Sequence, residues 1–129
     1  MNMQIMLCGK GGLIHLENET GVIMTNWVAV CELNDISEED VMRFDLPGHT
    51  FAIYRSPSGN FYATDGLCTH EQVHLADGLV LDHIIECPKH NGRFDYTTGL
   101  AKGAPVCVNL KTYAVKVEAG KVHIDISSL

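Results

Sequence analysis

Four residues in this chain have the types and spacing of metal ligands. Cys68-Thr69-His70 and Cys87-Pro88-Lys89-His90 form the pattern C-x-H-x16-C-x2-H. Thiolate and imidazole are the side chains that bind soft and borderline transition metals. One zinc ion takes two Cys and two His, but zinc fingers pair like with like, C-x2-4-C followed by H-x3-5-H. Here each short loop offers one thiolate and one imidazole. That suits a two-metal centre, in which facing loops each give a Cys to one metal and a His to the other. A zinc-stabilised interaction module with no redox role is the alternative. His74, four residues after His70, is a rival donor. His15, His49 and His123 lie outside the loops and read as surface or strand residues, and His83 sits in a turn.

The four residues resemble the ligand set of the Rieske proteins, and among them the Rieske-type ferredoxins. The likeness continues in Asp65-Gly66-Leu67 before the loops, Ala76-Asp77-Gly78 between them and Gly92-Arg93-Phe94-Asp95 after them, over roughly residues 25 to 127. The resemblance implies a [2Fe–2S] cluster held by Cys68 and Cys87 on one iron and by His70 and His90 on the other. Two neutral imidazoles in place of two thiolates leave the oxidised centre uncharged, so an electron is easier to add. Rieske potentials accordingly lie at roughly −150 to +300 mV, above the all-Cys plant type. The high-potential members have an extra Cys in each loop and a Ser and a Tyr that donate to the cluster. This chain has Val73, Lys89, Gly92 and Phe94 there, which points to the ferredoxin branch and to a low potential within the range. Gly103-Ala104-Pro105 resembles the third, proline-containing loop that covers the cluster in this family.

By the same resemblance the chain is an electron carrier and not itself an enzyme. Its expected partners are a flavin-dependent ferredoxin reductase and a Rieske oxygenase that hydroxylates or demethylates a small organic molecule. The cluster loops look similar to those of ferredoxins of rhizopine breakdown. The small subunit of assimilatory nitrite reductase is a second alternative, weakened by the presence of all four ligands.

The elements that position these loops read as a small all-β protein, with short apolar runs bounded by turn residues. Trp27 to Glu32 is a strand, with Trp27 as a packing anchor. Residues 34–40 form an acidic capped turn. Pro47-Gly48 joins strands 41–45 and 50–55, and Ser56-Pro57-Ser58-Gly59 leads into 61–64. Residues 65 to about 104 then behave as an insertion, with strands at 79–80, 84–86 and 93–95 around the ligand loops. Leu67, Val73, Leu75 and Phe94 supply apolar cover for the sulfurs. Gly78, Gly92 and Gly103 are read as letting backbone N–H groups approach them. The chain closes on a hairpin, 114–118 and 121–126, about Ala119-Gly120.

Composition narrows the function further. The 129 residues carry 9 basic and 16 acidic side chains, a net charge of −7. That balance opposes non-specific nucleic-acid binding, which needs Lys and Arg against phosphate, and suits docking to a basic protein surface. Five cysteines are an odd number for a disulfide framework. With Cys68 and Cys87 on iron, Cys31 and Cys107 read as reduced residues in apolar surroundings. Neither a signal peptide nor a membrane-length apolar run is evident, which makes the cytoplasm the expected location. Residues 1–23 read as an N-terminal extension, with Met24 as a candidate start, and 24–129 as the Rieske domain.

Overall fold

The computed structural model describes residues 25–89, 91–104 and 108–129. The N-terminal extension, with the short strands expected at 4–7 or 13–16, lies outside them. The chain divides into two compact units, one from the segment ending at Leu33 together with Ala114–Leu129, the other Asn34–Tyr113.

The first unit is a three-stranded antiparallel sheet. Its strands are β1 (Trp27–Glu32), β10 (Val115–Glu118) and β11 (Lys121–Asp125), in the order β1-β11-β10. Ala119 and Gly120 both take positive φ, 56° and 76°. This is the backbone a two-residue hairpin turn needs to match strand twist. Alternation buries Val122 and Ile124, both at 0% exposure, and leaves Lys121 in solvent. Trp27 packs under Lys116, whose Nζ lies 4.6 Å from the ring centre.

The second unit contains two four-stranded antiparallel sheets. One is β2-β3-β4-β9, built from Asp40–Leu46, His49–Arg55, Phe61–Asp65 and Thr112–Tyr113. Pro47-Gly48 makes the β2–β3 turn, with Gly48 at φ 81°. Central strand β3 carries Phe51, Ala52, Ile53 and Tyr54, all fully buried. The other sheet is β5-β6-β7-β8, from Leu79–Leu81, Ile84–Glu86, Arg93–Asp95 and Ala101–Gly103. It occupies the insertion, because β4 pairs with β9 across it: Ala63 opposes Tyr113 and Thr64 opposes Thr112. The two ends of the insertion are tied further by Tyr113, which donates to Asp65 at 2.5 Å, and by His49 Nε2, 2.6 Å from the same carboxylate oxygen. Burial above all, and then the Asp65 bond, pushes the Tyr113 hydroxyl well above the usual phenol range, so it stays a donor.

Strands β8 and β9 carry no recognisable strand pattern. Ala101-Lys102-Gly103 has no β-branched or aromatic residue, and Thr112-Tyr113 is two residues long. Both exist because a neighbouring strand offers free backbone groups, which is a tertiary cause.

Candidate metal centre

The two ligand loops have the same internal wiring. In the first, the Cys68 N–H donates to the Val73 carbonyl at 3.0 Å; in the second, the Cys87 N–H donates to the Gly92 carbonyl at 2.7 Å. Each closure joins the cysteine to the residue five positions on. Within each loop the N–H two residues on turns back to sulfur, His70 to Cys68 Sγ at 3.4 Å and Lys89 to Cys87 Sγ at 3.5 Å. Pro88 presets φ for the first position of the second turn. Asn91 follows at φ 55°, a conformation Asn tolerates better than most residues.

Both cysteines are buried, at 3% and 1% exposure, and neither is in a disulfide. They share one core cluster with Leu75, Val80, Ile85, Phe94 and Tyr96, and Val73 packs against it. The expected apolar cover is therefore present in Val73, Leu75 and Phe94, while Leu67 stays exposed. Burial first, with Cys68 beside it, pushes the Cys87 thiol up against the opposing pull of the Lys89 N–H. A pair of thiolates at such a site needs a cation between them.

His70 lies at the surface, its side chain 37% exposed, with Nε2 3.8 Å from Glu71 Oε2. His90 falls outside the described residues. Thr69, between Cys68 and His70, donates to the Val108 carbonyl at 2.7 Å and so ties the first loop to the chain just beyond the Gly103-Ala104-Pro105 segment. Pro105 and Cys107 also fall outside the described residues. Among the described residues no three His, Cys, Asp or Glu side chains converge on one metal position. A [2Fe–2S] core asks for no such trio, because each iron takes only two protein ligands.

The rival donor His74 is engaged elsewhere. Its ring is buried, Nδ1 accepts the Ala76 N–H at 3.0 Å, and Nε2 lies 2.8 Å from Thr50 Oγ1. The ring caps the 3-10 turn Leu75–Asp77. Two of the glycine readings also change. The Gly78 N–H donates to the Leu75 carbonyl at 2.9 Å. What requires glycine there is the Glu86 carbonyl, which would stand 2.2 Å from a Cβ. Around Gly103 a Cβ would meet nothing within 4 Å. Among the described residues, the N–H groups that reach sulfur belong to His70 and Lys89. Their signal was the position two residues after each cysteine, where a tight turn brings the amide back.

Comparison with known proteins agrees with this chemistry. Residues 26–114 match the Rieske [2Fe–2S] domain family. The ferredoxin component of the naphthalene 1,2-dioxygenase system of Pseudomonas putida is 46% identical over 101 residues, which cover 78% of this chain and 96% of that protein. Among solved structures, the complex of reduced oxygenase and oxidized ferredoxin in carbazole 1,9a-dioxygenase matches at TM-score 0.74 and 34% identity, covering 77% of this chain and 92% of that one. The Sphingomonas yanoikuyae B1 ferredoxin matches at TM-score 0.73 and 37% identity, over 78% and 98% of the two chains. This chain belongs to the Rieske [2Fe–2S] domain family. Its prosthetic group is a Rieske-type [2Fe–2S] cluster, and its role is electron transfer.

Proposed function

We propose that this chain is the ferredoxin component of a ring-hydroxylating dioxygenase system, taking one electron from a flavin-dependent reductase and passing it to a Rieske oxygenase. The observation that carries the reading is the matched pair of loops, each closing on its cysteine and turning one N–H onto sulfur. Cys68 and Cys87 hold one iron and His70 and His90 the other, within a Rieske domain of residues 24–129 that follows an extension of 1–23. The cluster, when bound, supplies a site that accepts and releases a single electron. The protein does the rest. Buried Cys68 and Cys87 sit in apolar surroundings that keep water from sulfur, and the His70 and Lys89 amides offset the negative charge there. His70 reaches the surface, which shortens the path to a partner.

The carrier itself has no catalytic role in this reading, so the reaction chemistry resides in the oxygenase. The sequence identity to dioxygenase ferredoxins favours this assignment over the nitrite reductase alternative. No helix among the described residues is long and apolar enough to cross a membrane. A cytoplasmic location accords with electron exchange with metabolic enzymes.

The test is assembly. His70→Ala and His90→Ala should each abolish the reduced-state Rieske EPR signal, while the wild-type protein shows it. A normal signal in either variant refutes the ligand set, and a colourless zinc protein refutes the electron-carrier reading as a whole. Reconstitution with a reductase and an aromatic-ring dioxygenase should then give product only when this chain is present.

A further inference from the structure

His74 is set into the base of the first ligand loop by contacts on several sides. Nδ1 accepts the Ala76 N–H, so it carries no proton and the hydrogen of the neutral ring sits on Nε2. Nε2 therefore donates to Thr50 Oγ1 at 2.8 Å, and the Thr50 hydroxyl donates in turn to Asp45 Oδ1 at 2.5 Å. The ring fills the space that Gly66 leaves: a Cβ there would stand 2.4 Å from Nε2 and 3.0 Å from Cε1. Backbone bonds close on the same point. The Gly66 N–H donates to the Thr50 carbonyl at 2.9 Å, and the Leu75 N–H to the Gly66 carbonyl at 2.8 Å. Leu67 and His74 form an antiparallel bridge. A chain of hydrogen bonds thus runs from Asp45 and Thr50, on the β2–β3 hairpin, into the base of the loop whose tip bears His70.

We propose that His74 is a positioning residue, which together with Thr50 and Gly66 sets the geometry of the first ligand loop and thereby tunes the reduction potential. The inference rests on the assignment of Cys68 and His70 as ligands. The Leu67–His74 bridge lies directly outside the Cys68–Val73 closure, and the His70 amide bond to Cys68 Sγ lies within that closure, with Cys68 adjoining Leu67. Loosening the base lengthens that bond. A hydrogen bond to sulfur favours the more negative, reduced state, so its weakening lowers the midpoint.

Thr50→Val and Thr50→Ser provide the test on the cluster-loaded protein. The methyl that replaces Oγ1 cannot keep the 2.8 Å and 2.5 Å approaches to His74 and Asp45, but Thr50 lines an open cleft of about 500 Å³ with Arg43, Asp45 and His49, so the exposed Asp45 carboxylate has room to give way. Thr50→Val should keep full cluster content but lower the midpoint and shift the reduced-state g values. Thr50→Ser keeps the hydroxyl and should match wild type in both. His74→Asn, which retains a cap for Ala76 but does not reach Thr50, should reproduce the Thr50→Val shift, and the double variant should add nothing to it. Wild-type g values and midpoint in Thr50→Val would overturn the proposal even if its melting temperature fell, since a purely structural bond moves stability alone. Additive shifts in the double variant would overturn it too. Should His74→Asn fail to load, the Thr50 pair decides alone. Failure of the ligand assignment reads out separately, as a Rieske signal that survives His70→Ala.

Discussion

Phe94 is fully buried and Gly92 is buried, and neither has a hydroxyl to offer the sulfurs. Among the described residues the donors to sulfur are two backbone amides, at 3.4 and 3.5 Å, with no hydroxyl beside them. The midpoint should therefore lie toward the low end of the Rieske range, and Phe94→Tyr or Gly92→Ser should raise it. A net hydrogen bond of about 0.5–1.5 kcal/mol corresponds to about 20–60 mV for one electron. Protein-film voltammetry checks both the wild-type value and the shift. His74 makes a second prediction at this scale. Burial, then the charge of Arg43, holds its pKa below the ordinary 6.5, against the weaker upward pull of Asp45 and Asp77. The unfolded chain then binds the proton more readily than the folded one. The stabilisation from the neutral ring is whole above pH 6.5 and falls as pH drops through that value toward the lower folded pKa. Between about pH 7.5 and about pH 5.5, urea unfolding should show a smaller stability loss in His74→Asn than in wild type.

At the scale of elements, the insertion is held by close backbone approaches as much as by side chains. Gly78 enters β5 where the Glu86 carbonyl of β6 leaves no room for a Cβ, and Cys87 follows Glu86 directly. Gly78→Ala must push β5 from β6 at the foot of the second ligand loop. The expected cost is about 1–3 kcal/mol, with reduced cluster content in the purified protein. Gly103→Ala, in open space on β8, should match wild type in both. Equal effects of the two substitutions, by denaturant midpoint and visible absorbance, would contradict this reading of the insertion.

For the whole molecule the net charge of −7 sets how partners are met. Encounter with a basic docking surface should be fast and should slow as salt rises. His70 reaches solvent beside Glu71 and the exposed Gln72, with Pro88 and Lys89 exposed on the second loop. The Glu71 carboxylate lies so near the His70 ring that changing it alters the field at the ligand as well as the docking charge. Gln72→Lys separates the two. It should slow electron transfer to the oxygenase several-fold at low salt and leave the EPR spectrum unchanged. Stopped-flow rates indifferent both to this change and to ionic strength would move the docking face away from His70.

What the amino-acid sequence determined by itself was the local chemistry: two loops with one thiolate and one imidazole each, hairpins marked by Pro47-Gly48 and Ala119-Gly120, and strands with a two-residue apolar period. Each of these is encoded within a few neighbouring residues, by donor type, by the φ a turn requires or by alternation. What needed the tertiary structure was every feature made by residues far apart in the chain. Ala101-Lys102-Gly103 becomes a strand only beside β7, and Gly78 is obligatory only because Glu86 folds back against it. His74 resembled a spare ligand in the sequence. Its role appeared only when Thr50, Asp45 and Gly66 came to surround the ring, because a histidine's function is set by what its two nitrogens meet, and those partners lie as many as twenty-four residues away.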